Sequence, residues 1–129
     1  MPDLGVNNSK LAPCPNTPNC VSSQAHDEAH YIEPLTYEGT RQAAHDRLLQ
    51  IIESEKRTKV LTDQADYIHV EFISAVFRFV DDVEFFFPDG GADEKIIHVR
   101  SASRVGSSDL GVNRKRIERI RKKFYNKNG

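Results

Sequence analysis

The chain has 129 residues, of which 38% are hydrophobic and 29% charged, with a formal net charge of −1. That length and balance predict one globular domain over 1–129 and exclude a disordered chain and a repeat array. No run of about 18 apolar residues offers a membrane-spanning helix, and the N-terminus lacks the basic start and apolar run of an export signal. Charge is unevenly spread: residues 1–99 carry 8 Lys/Arg against 17 Asp/Glu, and residues 100–129 carry 10 against 2. A basic end can contact nucleic acid or an anionic membrane. It can equally lie beside the acidic body, and that plainer reading makes a nucleic-acid partner unlikely.

Residues 1–38 hold five of the six prolines and show no sustained period. They read as an extended arm wrapping the body, anchored by Leu11, Val21, Tyr31, Ile32 and Leu35. Within the arm, Cys14 and Cys20 enclose five residues rich in Pro and Asn, a loop tight enough to bring two Cα atoms into disulfide range. A disulfide is the favoured reading and implies an oxidising compartment; free thiols and a metal pair are the alternatives. His26, His30 and His45 read as surface residues. The His26–His30 spacing suits a helical metal pair but has no third ligand nearby.

Thr40 is placed to cap a helix over 41–54, with Ala44, Leu48, Ile51 and Ile52 along one face. Four strand-like runs follow, at 57–62, 67–74, 78–87 and 95–103. In the second, Ile68, Val70 and Phe72 alternate with Tyr67, His69 and Glu71. In the third, Phe79, Val83, Phe85 and Phe87 alternate with Arg78, Asp82 and Glu84. In the fourth, Ile97 and Val99 alternate with His98 and Arg100. Short connections, one carrying Pro88-Asp89-Gly90-Gly91, suit hairpins. After a polar loop over 103–111, a second helix is expected from about Asp109 to Tyr125, with a stripe of Leu110, Ile117, Ile120 and Phe124 among seven basic residues. The expected fold is therefore α+β: a two-layer sandwich of a four-stranded antiparallel meander with both helices on one face, in the order arm-α-β-β-β-β-α.

Three segments are distinctive together: 11–15 through 19–24 around the two cysteines; 67–69 through 79–85; and 97–104 through 109 to 111–116. On these the chain resembles domain-of-unknown-function family 1499, found in bacteria and plant plastids, from Leu11 to about Arg121. The resemblance brings no established activity. Many members look exported or membrane-tethered, which implies an exported or periplasmic-type setting and supports the disulfide. The family loop usually carries aromatic residues where Ser107 and Leu110 stand here, a departure that alters any pocket the loop lines.

Chemistry is sought first on the polar sheet face. Pairing around the two turns predicts cross-strand rows of His69–Asp82–Arg100 and Tyr67–Glu84–His98. Such a face can bind a ligand, do acid–base work, or simply carry ion pairs. A second candidate is Arg100, Ser101, Ser103 and Arg104 with Ser107, Ser108 and Asp109 ahead of the helix, where an anion could bind; the alternative is that Ser108 or Asp109 only caps the helix. No Walker-type loop or nucleophile elbow is present.

The leading expectation is a non-enzymatic binding module for a small anionic ligand or a protein partner, without a cofactor or resident metal. Its site is expected at Asp82, Glu84, His98, Arg100, Ser101, Ser103, Arg104, Asp109, Asn113 and Arg114. Arg100 and Arg104 would supply charge, Asp82 and Glu84 would orient them, and Asn113 and Arg114 would lock the loop to the helix. The rival from another class is a small hydrolase working through carboxylates and histidines of the same face. A third reading uses the basic helix on nucleic acid or anionic membrane.

Overall fold

The computed structural model of the chain describes residues 4–75, 78–89, 95–105 and 111–126. Its elements are, in order, β1 (Val6–Asn7), β2 (Lys10–Leu11), β3 (Cys20–Ser22), β4 (Leu35–Thr36), α1 (Arg41–Ser54), β5 (Thr58–Gln64), β6 (Tyr67–Ile73), β7 (Val80–Phe86), β8 (Ile96–Ser103) and α2 (Val112–Tyr125). Thr40 caps α1, its hydroxyl accepting from the Ala43 amide at 3.1 Å.

The expected four-stranded meander is corrected. Strands β5, β6, β7 and β8 do pair antiparallel in sequence, but the sheet has six strands, because β3 and β4 both add to the outer edge of β8, and β1 and β2 form a separate two-stranded sheet. The added strands are two or three residues long. Alternation over so few residues carries no readable period, yet β8 presents a row of backbone donors and acceptors that the arm satisfies.

Alternation divides the sheet into two faces. Ile68, Val70, Phe72, Val83, Phe85, Ile97 and Val99 meet Ala44, Leu48 and Ile52 of α1 and Ile117, Ile120 and Phe124 of α2 in the main core. Val21 and Leu35 of the arm join that core. Beneath the other face run Tyr67, His69, Glu71, Asp82, Glu84 and Arg100, covered by residues 4–15 of the arm. There Leu11 packs with Tyr67 and Phe86 in a small satellite cluster. Phe79, expected inside, is half exposed and lies just before β7 begins at Val80, while Asp81, on the same parity as Val83 and Phe85, pairs with Arg116 of α2 at 2.7 Å.

Cys14 and Cys20 form a disulfide with Cα atoms 5.7 Å apart, which closes the base of the arm against β3. His30 and His45, expected on the surface, are buried, each with both ring nitrogens on acceptors. Among the described residues no helix is long and apolar enough to cross a membrane.

Candidate functional site

The predicted rows are corrected by two residues. His69 stands opposite Glu84, and Glu84 opposite Arg100; Glu71 stands opposite Asp82, and Asp82 opposite Ala102; Tyr67 and His98 flank Phe86. Each turn centre lies one residue further along than the alternation alone suggested. A shift of two preserves every side chain's face, so the polar set stays together while its partners change.

The centre of the face is buried, not half-solvated. Glu84 is fully buried, and Asp82 and Arg100 are only 2% and 4% exposed. Asp82 is the hub: it accepts from His69 Nε2 at 2.8 Å and from Arg104 Nε and a terminal nitrogen at 2.8 and 2.9 Å. Arg104 also reaches Glu71 at 2.6 Å. Burial pushes the Asp82 carboxyl up, but the bonds from His69 and Arg104 outweigh it and hold the group down at about 2. The bonds to Asp82 and Glu71 keep the Arg104 guanidinium firmly charged, above its ordinary range. The bond to Asp82 fixes the orientation of the His69 ring.

A second group lies beside it. The Tyr67 hydroxyl donates to Glu84 Oε2 at 2.5 Å, and the Gly5 amide donates to the same oxygen at 2.8 Å. Burial, and then the Glu84 carboxyl, raise the Tyr67 hydroxyl far above its ordinary value, so it stays a donor. Arg100 approaches Glu84 at 3.7 Å and donates to the Pro13 carbonyl at 3.2 Å. Burial pulls its guanidinium below its ordinary value, with Glu84 acting against that. Glu84 Oε1 and Arg100 Nε have no hydrogen-bond partner, although both are buried. A cleft of about 970 Å³ separates the arm from this face, with Asp82, Arg100 and Arg104 on its floor and Lys10 and Pro13 on its opposite wall.

The structure divides the expected site residues. Asp82, Glu84, Arg100 and Arg104 converge under the arm. Alternate positions on β8 point to opposite faces, so the serines do not join the arginines. The Ser101 hydroxyl donates to Asn113 Oδ1 at 2.6 Å, and Asn113 Nδ2 donates to Ser103 Oγ at 3.0 Å, which turns both hydroxyls to the helix side, although Ser103 still lines the cleft beside Arg100 and Arg104. Arg114 grips the Tyr31 and Ala29 carbonyls of the arm. His98 stacks on Phe86 and meets Ser23 Oγ at 2.9 Å through Nδ1. Asp109, like Ser107, Ser108 and Leu110, lies outside the described residues. The site set left out His69 and Glu71, which alternation had placed on this face. It also left out the backbone of Gly5 and Pro13, for which no side-chain pattern exists.

Most of the basic helix is engaged internally. Besides Arg114 and Arg116, Arg119 and Lys123 clamp Glu55, and Arg121 donates to the Glu33 and Pro34 carbonyls. Among the described residues no group of three His, Cys, Asp or Glu side chains is placed to hold a metal.

Fold and site together define a small α+β protein with an ionic network enclosed between an antiparallel sheet and a disulfide-anchored arm. The chain belongs to the family described as "Protein of unknown function (DUF1499)", which matches residues 10–124, a family of bacterial and plastid proteins. No curated protein and no solved structure matches it.

Proposed function

We propose that the chain is a small hydrolase that acts on a molecule held between arm and sheet, with His69 as general base and Asp82 as its orienting carboxylate. The observation that supports this is the 2.8 Å bond from His69 Nε2 to a buried Asp82 that also forms the cleft floor. Water is the nucleophile in this reading, since Ser101 and Ser103 are bonded to Asn113 on the other face. His69 Nδ1 accepts a proton from the water, its oxygen adds to the substrate carbonyl, and the imidazolium returns the proton to the leaving group.

The expectation of an anion-binding module has less support, because Asp82 and Glu71 pair with Arg104 and Glu84 pairs with Arg100. Binding without turnover remains the second reading, favoured by the size of the cleft. The Cys14–Cys20 disulfide supports an oxidising, exported setting.

The test is turnover of a panel of p-nitrophenyl esters and peptide p-nitroanilides by the purified protein and by His69→Asn. Hydrolysis that falls by about 100-fold in His69→Asn, with the variant still folded at the assay temperature, is expected. No turnover on the panel, or equal turnover by the variant, overturns the reading.

A further inference from the structure

The arm does more than cover the polar face: its backbone satisfies it. Glu84 takes the Gly5 N–H, and Arg100 gives a hydrogen bond to the Pro13 C=O. Those two peptide groups come from opposite ends of the short β1–β2 hairpin and its exit, and among the described residues they are the hydrogen bonds the arm makes to this buried pair. The pair itself is loosely matched: Glu84 Oε1 has only the 3.7 Å ion pair to an Arg100 terminal nitrogen and no hydrogen bond, Arg100 Nε has no hydrogen-bond partner, and Arg100 lies on the cleft floor. A buried acceptor beside a buried donor, each already bonded to a main-chain group, is a pattern that reads peptide bonds.

Charge on the face argues for a neutral occupant. Two guanidinium groups, Arg100 and Arg104, meet three carboxyl groups, Glu71, Asp82 and Glu84. On this face an anion would meet guanidinium groups already paired to carboxylates, with Lys10 on the opposite wall belonging to the arm that must move, whereas an amide brings one donor and one acceptor and no charge.

The hairpin is held lightly enough to leave. Val6, Asn7, Asn8, Ser9 and Lys10 are exposed, and Leu11 anchors in the satellite cluster with Tyr67 and Phe86, apart from the main core. Asn8 and Ser9 make a tight turn with φ of 54° and 61°. Gln24 provides the remaining tie, accepting from the Leu11 amide at 2.8 Å and donating to the Ser9 carbonyl at 3.1 Å. Few buried contacts and an exposed backbone mark a segment that opens at low cost. The disulfide holds its far end to β3, so an opened hairpin stays tethered at the mouth.

We propose that residues 4–13 occupy the site as a built-in pseudo-ligand, and that the molecule they stand in for is a neutral, extended peptide segment whose N–H and C=O replace those of Gly5 and Pro13 on Glu84 and Arg100. This rests on the hydrolase reading for the location of the site and names its substrate class. Binding and turnover separate cleanly, because the recognition groups, Glu84 and Arg100, are not the proposed base.

The experiment is an NMR titration of the oxidised 129-residue chain with N-acetyl-glycyl-glycinamide, alongside sodium phosphate, in the wild type, Gln24→Ala, Leu11→Ala and His69→Asn. Opening the strap raises the competent fraction, so Gln24→Ala is expected to bind the peptide amide about tenfold more tightly than the wild type. Leu11→Ala is expected to follow it, and if Leu11→Ala is poorly folded, Gln24→Ala alone decides, since its side-chain amide bonds to Leu11 and Ser9 of the hairpin and not to the main core. His69→Asn is expected to bind like the wild type even where turnover is lost or was never present. Equal peptide affinity in wild type and Gln24→Ala, tighter binding of phosphate than of the amide, or binding of neither overturns the proposal.

Discussion

Asp82 shows how a single residue's environment sets its chemistry. It is buried, yet three nitrogen–oxygen bonds within 2.9 Å keep it ionised. Its pKa falls from an ordinary 3.8 to about 2. A carboxyl group whose folded value is depressed stabilises the fold fully above its unfolded value and loses that contribution as pH falls through the folded one. The stabilisation at stake is on the order of 2 kcal/mol. Urea midpoints taken from pH 5 down to pH 2 are therefore expected to drop between about pH 4 and pH 2. Asp82→Asn is expected to start lower and to lose most of that slope; an identical slope in the variant would place the acid sensitivity elsewhere. At this scale the sequence was partly legible. Alternation put His69, Asp82, Glu84 and Arg100 on one face, but which carboxyl meets which cation depends on the turn centres, and loops with several workable lengths do not declare these.

At the level of elements, α2 is fastened to the sheet by a polar bond as well as by its apolar stripe. Arg116 reaches Asp81 Oδ2 at 2.7 Å, donates to Asn113 Oδ1 at 2.8 Å, and lies over the Phe72 ring with 4.8 Å from its guanidinium carbon to the centroid. Removing one member of a buried pair leaves the other uncompensated, at a cost of about 3–5 kcal/mol. Asp81→Ala is thus expected to lower the unfolding free energy by about that amount, measured by denaturant titration; a loss below about 1 kcal/mol would assign the docking of α2 to Ile117, Ile120 and Phe124 alone. Here the sequence misled for a physical reason. Phe79 and Asp81 share the parity of Val83 and Phe85, but β7 begins only at Val80, and a charged residue at an inward position breaks the apolar rule unless its partner on a distant helix is known. The long strands and both helices were legible because their periods extend over seven or more residues. Strands β3 and β4 were not, because their existence is decided by the open edge of β8 and not by their own side chains.

Across the whole molecule, two buried histidines fasten separate parts of the chain. His30 holds Asp27 through Nδ1 at 2.5 Å and the Thr17 carbonyl through Nε2 at 2.7 Å, tying the disulfide loop to the rest of the arm. His45 on α1 contacts Asp46 at 3.0 Å and reaches across to Asp63 on β5 at 2.6 Å, with the Phe87 ring beside it. Both nitrogens of each ring face oxygen acceptors, so only the imidazolium satisfies all of these contacts. The Thr17 carbonyl and then Asp27 raise His30 above its ordinary 6.5, with burial and the charge of Arg114 acting against them. Burial pulls His45 down, but Asp46 and Asp63 together carry it above 6.5. Groups with raised folded values contribute fully below the unfolded value and lose that contribution as pH rises through the folded one. Taken with the acid limb set by Asp82, this places the stability maximum between about pH 4 and pH 6.5. Unfolding midpoints measured from pH 5 to pH 9 are expected to decline on the alkaline side, and the double substitution of His30→Gln with His45→Gln is expected to flatten that limb while lowering the plateau. A wild-type midpoint that rises from pH 6.5 to pH 9 would mean that these rings are held neutral, and the arm and α1 would then owe their attachment to the disulfide, to Arg114 and Arg121, and to the apolar core.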